Sequence, residues 1–461
     1  MRTLLCAIAA CTLVAGQTGL PAAQRQRIDT LAQQALARYG APSASIAVIE
    51  NDQLVYAQAY GAGRIEPKAA ATPGMRYSIG SISKQFTAAA VMKLVEQGKV
   101  KLDDPLAKYL PGFTRGNEVT VRELLSHTSG YEDYAPQDYM IPAWLKPTTP
   151  QAVVNHWARL PLNFEPGTQW QYSNTNFKLA GLIVEKISGE PFFQFLSQNF
   201  FQPLGMTGVL DVSAGWLGPS DAQGTVRHAL GPDRVAPIDG TGWNFADGQL
   251  GMTAANLARW QIGMLKQSVL KPASYRAMET NTALKNGRLT GYGLGLSVGE
   301  RNGHRFFGHS GEEIGFTAQE LEFPDDHAAV AVLTNQSANA TASALAGEIA
   351  DVLLATSRGP KPGDAAAQQA EAIFLGLQQG KIDRSLFTSD ANFYFNATAL
   401  GDYAASLGRL GAPLSFTQTG EQKRGGMTYH AYAVTFPDRS VTVTTYVQPD
   451  GKIEQFLVFP R

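Results

Sequence analysis

Ser81 is the one serine of the chain that combines an expected helix start with a lysine one turn on, in the run Gly80-Ser81-Ile82-Ser83-Lys84. The apolar spacing that follows predicts a helix over 85–97, ended by Gly98. Residues at i and i+3 share a helix face, so the hydroxyl and the amine are held together. Backbone N–H groups at a helix start favour developing negative charge. An amine in a dry pocket sheds its own charge easily and can accept the hydroxyl proton. This is the equipment of a serine nucleophile with a lysine base. A second Ser-x-x-Lys, Ser268-Val269-Leu270-Lys271, runs straight into Pro272, which is read as removing the helix that would hold the pair on one face.

Two further groupings carry chemistry. Tyr172-Ser173-Asn174 follows the turn Glu165-Pro166-Gly167 and precedes a helix predicted over 177–187, so it falls on a loop. A phenol beside an ammonium is expected to ionise more readily and act as a general base, while the amide donates to a substrate carbonyl. The similar Tyr394-Phe395-Asn396 sits in a strand-like alternation and reads as core. His309-Ser310-Gly311 follows Phe306 and Phe307 and reads as an edge strand whose small residues let a substrate backbone approach. The run Gly308 to Glu312 comes near the Gly-x-Ser-x-Gly elbow of α/β-hydrolases. Glu312 takes the final glycine position and no strand-turn-helix surrounds it, so Ser310 is not read as a nucleophile.

Composition narrows the alternatives. The 461 residues carry 38 Lys+Arg and 39 Asp+Glu, a formal charge of −1, without the basic excess of a nucleic-acid binder. At 44% hydrophobic the chain is far too apolar to be disordered. Both cysteines, Cys6 and Cys11, lie in the first sixteen residues, so the body has no thiol chemistry. None of the seven histidines has the spacing of a close ligand pair, so no metal and no cofactor is expected. The apolar stretch Leu4–Val14 behind Arg2 is too short to span a bilayer and reads as a secretory signal covering 1–16. A periplasmic or secreted protein follows, with no transmembrane segment. The competing reading takes Ile8-Ala9-Ala10-Cys11 as a lipoprotein box that would anchor the chain through Cys11.

The positioning elements are read as follows. A helix over 22–39 leads into a hairpin, 43–50 and 53–60, around Asn51-Asp52. Long helices occupy 81–204, and strands return at 292–298, 305–308, 319–323 and 328–333 before a helix at 342–354. An antiparallel sheet built from both ends of residues 22–356, with a helical insert between them, is the simplest α+β arrangement of that order. The polar run 357–363 reads as a linker, and 364–461 as a small α+β domain with a hairpin turn at Pro449-Asp450-Gly451. The partner of that domain stays open. His127 is read as a turn residue, Arg122 and Glu123 as solvated, and Gly291-Tyr292-Gly293-Leu294-Gly295 as a strand. Tyr131, Tyr134, Tyr139, Trp144 and Trp243 fall in two loops, 131–150 and 216–243, that would wall a cleft or pack those loops onto the body.

In this order, Ser-x-x-Lys, Tyr-x-Asn and His-Ser-Gly resemble the serine β-lactamase and penicillin-binding protein superfamily, in its class C-like branch with D-alanyl-D-alanine peptidases and esterases. Leu124-Leu125-Ser126-His127-Thr128-Ser129-Gly130 and Leu204-Gly205-Met206 add to the likeness, which covers about 25–355. The resemblance implies that Ser81 is acylated, that Lys84 and Tyr172 move its proton, and that Asn174 orients the substrate amide. It implies an oxyanion hole from the backbone N–H groups of Ser81 and Glu312, typically worth about 3 kcal/mol per donor. His309, Ser310 and Gly311 would bind substrate. Many β-lactamases carry Lys where this chain has His309, so a peptidase or esterase is favoured over a true β-lactamase, unless His309 merely packs. The expected function is an ester or amide hydrolase working on a peptide, a β-lactam or a carboxylic ester. The alternative is a penicillin-recognising sensor that acylates without turnover.

Overall fold

Asn51 and Asp52 turn the chain with φ of 52° and 57°, the left-handed pair that a tight two-residue hairpin requires. They join antiparallel strands Ser43–Glu50 and Gln53–Ile65, the second running past the expected end at Tyr60. The structure, a computed structural model, describes residues 19–137, 139–215, 217–229, 231–357, 365–424, 427–437 and 439–460. The leader at 1–16, Trp216 and positions 358–363 of the linker lie outside the described residues.

The hairpin supplies two strands of an antiparallel sheet whose strands run in the order Lys68–Ala70, Gln53–Ile65, Ser43–Glu50, Ala328–Thr334, Phe316–Phe323, His304–Gly308 and Ser297–Arg301. The short strand Ser310–Glu313 also pairs with Phe316–Phe323. Both ends of the segment therefore meet at the pairing of Ser43–Glu50 with Ala328–Thr334, where Ile46 faces Val332. Side chains alternate across the sheet. Ile46, Val48, Val330 and Val332 face the helices Ala22–Tyr39 and Thr341–Ser357. Ala47, Ile49, Ala329, Ala331 and Leu333 face the helical insert, whose inner helices are Ser83–Glu96, Asn174–Ser188 and Ala254–Leu265. Two sides of the sheet are thus covered, and every residue of Ala328–Thr334 is buried.

Several expectations need correction. The run Gly291–Gly295 is irregular, and Tyr292 makes only an isolated bridge to Ser297. Ser357 ends a helix and does not open the linker. Tyr394 ends the helix Ser389–Tyr394 and is 47% exposed, so its motif belongs to no strand; only Phe395 is core. Pro272 starts the helix Pro272–Glu279, at a position where its missing N–H costs nothing, so Ser268 and Lys271 stand before a helix. Glu123 closes a capping box with Thr120, though Arg122 is half-buried and pairs with Asp103.

Residues 365–460 form a second unit. Its sheet, Ser415–Arg424, Met427–Thr435, Ser440–Val447 and Ile453–Pro460, is antiparallel throughout. Phe374, Phe387, Phe395, Tyr432, Val443 and Phe456 make its core. Among the described residues no helix is long and apolar enough to cross a membrane.

Candidate active site

Ser81 lies in a 3₁₀ turn, Gly80–Ile82, that runs directly into the helix Ser83–Glu96, so the helix starts earlier than its apolar spacing suggests. Two glycines fit this turn to the sheet. Gly80 has φ of 49°, and a Cβ there would stand 2.5 Å from the Glu312 carbonyl oxygen. A Cβ on Gly311 would overlap the Ile79 carbonyl oxygen. The small residue on the edge strand thus admits the Ser81 turn, where a substrate backbone was expected, and the Glu312 amide is brought against that turn.

Lys84 is fully buried, and its Nζ donates to three oxygens: Ser81 Oγ at 2.8 Å, Asn174 Oδ1 at 2.7 Å and the Asp247 carbonyl at 2.8 Å. Burial brings its pKa down to about 8, against the opposing pull of Asp247 and Asp133. Asn174, the first residue of the helix Asn174–Ser188, gives its Nδ2 to Asp133 Oδ1 at 3.1 Å, which leaves its oxygen turned to Lys84. The amide therefore grips the lysine while it borders the cleft.

Tyr172 stands on the loop before that helix and borders the cleft with Ser81. Its ring lies 4.9 Å from Lys84 Nζ and 4.2 Å from the ring of His127. Burial, with the charges of Asp133 and Asp247, raises its pKa and outweighs the lowering influence of the Ser81 hydroxyl. The phenol consequently rests protonated, opposite to the expected easy ionisation. His127 has φ of 58° and accepts the Ser173 N–H on Nδ1 at 3.1 Å, so it braces the tyrosine loop from a turn.

His309 is 4% exposed, with Nε2 2.8 Å from the Tyr292 hydroxyl and Nδ1 2.5 Å from the Ser310 carbonyl. Burial first, then the Lys84 charge, takes its pKa down to about 4, and the imidazole is neutral at physiological pH. Ser310 is exposed on the short strand and borders the same opening.

These groups meet at a cleft of about 520 Å³. Ser81, Tyr172, Asn174, His309 and Ser310 all line it. Tyr134, Trp144 and Trp243 supply aromatic walls, whereas Tyr131 is buried behind and Tyr139 is 67% exposed. Asp133, Asp239, Asp247, Glu312 and Glu313 also line the cleft, and no Lys or Arg does so among the described residues. Burial raises Asp239 to about 6, and burial together with the charge of Asp239 raises Glu313. The sequence reading missed Asp133, Asp239, Asp247 and Glu313 because loop carboxylates carry no periodic signal. No group of three metal-binding side chains occurs among the described residues.

The family pattern described as Beta-lactamase matches residues 28–354, which hold every one of these groups. The chain belongs to the β-lactamase family. A D-aminopeptidase from Brucella anthropi is 25% identical over 366 residues, covering 76% of this chain and 65% of that protein. Protein flp from Staphylococcus aureus is 25% identical over 338 residues, covering 68% and 63%. The chain thus spans under two thirds of both relatives. Among solved structures, a D-amino acid amidase from Ochrobactrum anthropi SV3 matches with TM-score 0.62 and 23% identity over 72% of this chain and 98% of that one. An octameric penicillin-binding protein homologue from Pyrococcus abyssi matches with TM-score 0.62 and 22% identity over 94% and 99%. These two structures share the β-lactamase-like fold.

Proposed function

We propose that the protein is a serine hydrolase that cleaves amides through an acyl-enzyme on Ser81, and that its substrates carry a free amino group near the scissile carbonyl. The observation that carries this reading is the Ser81–Lys84 hydrogen bond at the floor of a cleft bordered by five carboxylates. An ammonium entering between Asp239 and Glu313 would relieve their repulsion and restore both to the ionised form. A substrate carboxylate would stand against Asp239 and Glu313 there, with Lys84 already holding three oxygens, which tells against penicillins and carboxy-terminal peptides. The D-aminopeptidase and D-amino acid amidase likenesses support a D-amino acid amide.

The chemistry follows from the hydrogen bonds. Neutral Lys84 keeps two N–H donors on Asn174 and the Asp247 carbonyl and turns its lone pair to the Ser81 hydroxyl. Ser81 Oγ bonds to the carbonyl carbon as its proton passes to Lys84, and the oxyanion is received by the N–H groups of Ser81 and Glu312. When the C–N bond breaks, the departing amine takes the Tyr172 proton, and Lys84 returns one to the phenolate. Water then repeats the sequence on the ester, releasing the acid and restoring Ser81. The apolar segment Leu4–Val14 supports an enzyme working outside the cytoplasm.

The test is turnover of D-phenylalanine p-nitroanilide against its N-acetyl derivative, with a chromogenic cephalosporin and p-nitrophenyl acetate alongside. The free amine should exceed the acetylated compound at least tenfold in kcat/KM, and equal turnover would overturn the amine assignment. Ser81→Ala should abolish turnover and acylation by intact mass; acylation at the wild-type rate in that variant would remove Ser81 from the mechanism.

A further inference from the structure

A second lysine is buried beside the first, outside the three sequence motifs. Lys178 is fully buried one helical turn after Asn174, on the same face of the helix Asn174–Ser188. Its Nζ lies 3.2 Å from Asp247 Oδ2, donates to the Trp243 carbonyl and stands 4.5 Å over the Tyr134 ring. The Tyr134 hydroxyl donates to the same Asp247 oxygen at 2.8 Å. Asp247 is 2% exposed, and its backbone carbonyl is one of the three acceptors around Lys84. Its neighbours are fastened to the Lys84 helix as well: the Thr87 hydroxyl donates to the Ala246 carbonyl at 2.5 Å, and Leu250 N–H to Ser83 Oγ at 3.1 Å.

We propose that Lys178 is a positioning residue for Lys84: paired with Asp247, it fixes the carbonyl that holds the catalytic amine and balances the charge around it. One helix then supplies both controls, Asn174 directly and Lys178 through Asp247. The proposal rests on the reading of Lys84 as the proton acceptor. A buried ion pair is weak evidence for stability, since an apolar pair of similar volume does as well, so the expense of burying this one calls for a role beyond holding the fold. The groups that set the charge at Lys84 are Asp247, Asp133 and Glu313 on the acidic side, and Lys178 opposing them. His127 and His309 also face it, both kept neutral by burial, and Tyr172 is held protonated.

The experiment follows acylation of the full-length protein by p-nitrophenyl acetate, a neutral probe, from pH 6 to 10. In the wild type, a midpoint near 8 that disappears in Lys84→Ala would establish the base; without one, the reading of Lys84 fails before Lys178 is tested. Lys178→Met leaves Asp247 unopposed and should raise the midpoint by about half a unit or more, with most of the rate regained at pH 10. Lys178→Arg keeps the charge and should keep the midpoint. Removing one member of a buried pair can unfold a protein, so Lys178→Met combined with Asp247→Leu supplies the second arm, with no orphaned charge. Asp247 acts on Lys84 more strongly than Lys178 does, so the double variant should move the midpoint below that of the wild type. A folded Lys178→Met protein with an unmoved midpoint, or a double variant shifted upward or not at all, would overturn the proposal.

Discussion

Beneath the cleft, Lys178 and Asp247 are buried facing each other at 3.2 Å, and a tyrosine hydroxyl completes the pair. On the strand Phe316–Phe323, Glu320 and Glu322 are buried just as fully, yet none of their four carboxylate oxygens meets a hydrogen-bond partner among the described residues. Both lie on the face turned to the helical insert, opposite Ala331 and Ala329, and the Gln261 amide oxygen nearby is likewise without a partner. The difference is one of charge state. The paired site can keep ions in a dry place and aim them at a reacting atom. The unpaired site answers desolvation by holding protons: burial raises the pKa of both carboxyls, and repulsion from Glu320 and Glu279 raises Glu322 further.

If the paired region does the proton chemistry, its loss should produce the largest effects. Lys84→Ala should reduce turnover by about a hundredfold to ten-thousandfold, the range for a positioned acid or base, without a comparable loss of fold measured by circular dichroism. Near-wild-type turnover would reduce Lys84 to a structural cation. Tyr172→Phe should lower turnover at least about a hundredfold for amides but far less for p-nitrophenyl acetate, whose leaving group departs without a proton. Equal losses on both substrates would deny Tyr172 the role of proton donor. With p-nitrophenyl acetate, which carries no ammonium to meet Asp239, the pH profile should rise through about 8 as Lys84 is uncovered and show no step from His309 between 6 and 7, because burial keeps that imidazole neutral there.

Much of this was legible in the residues. The meeting of both ends of the body in one antiparallel sheet follows from strand patterns, though the order of the strands within it does not, and the candidates Ser81, Lys84 and Tyr172 come from spacing read together with helix and turn signals. What stayed hidden depends on contacts between segments far apart in the chain. Lys178 had a usable signal, four positions after Asn174 on one helix, but its partner Asp247 comes from a loop that no period could place. The direction of the Tyr172 shift was misread for the same reason: the lysine is adjacent in sequence logic, while burial and the two aspartates that outweigh it appear only in the folded chain. Glu320 and Glu322 look like solvent-facing positions in an alternating strand, and only the helices covering that face bury them.

The smallest expected effect lies at the unpaired site and is a gain in stability. Because the folded carboxyls hold protons that the unfolded chain has released, stability is greatest below the ordinary carboxylate range and declines as pH rises above it. Glu320→Met fills nearly the same volume with no group to desolvate, so it should stabilise the protein by about 1–3 kcal/mol at pH 8, the usual cost of a buried unsatisfied polar group. At pH 5 the gain should be smaller, since less of the ionisation penalty has accrued. Guanidinium unfolding at the two pH values measures both numbers, and p-nitrophenyl acetate acylation should be unchanged, since neither glutamate lines the cleft. Equal destabilisation at both pH values would mean that Glu320 is held by a bound partner in solution, and the contrast between paired and unpaired burial would collapse.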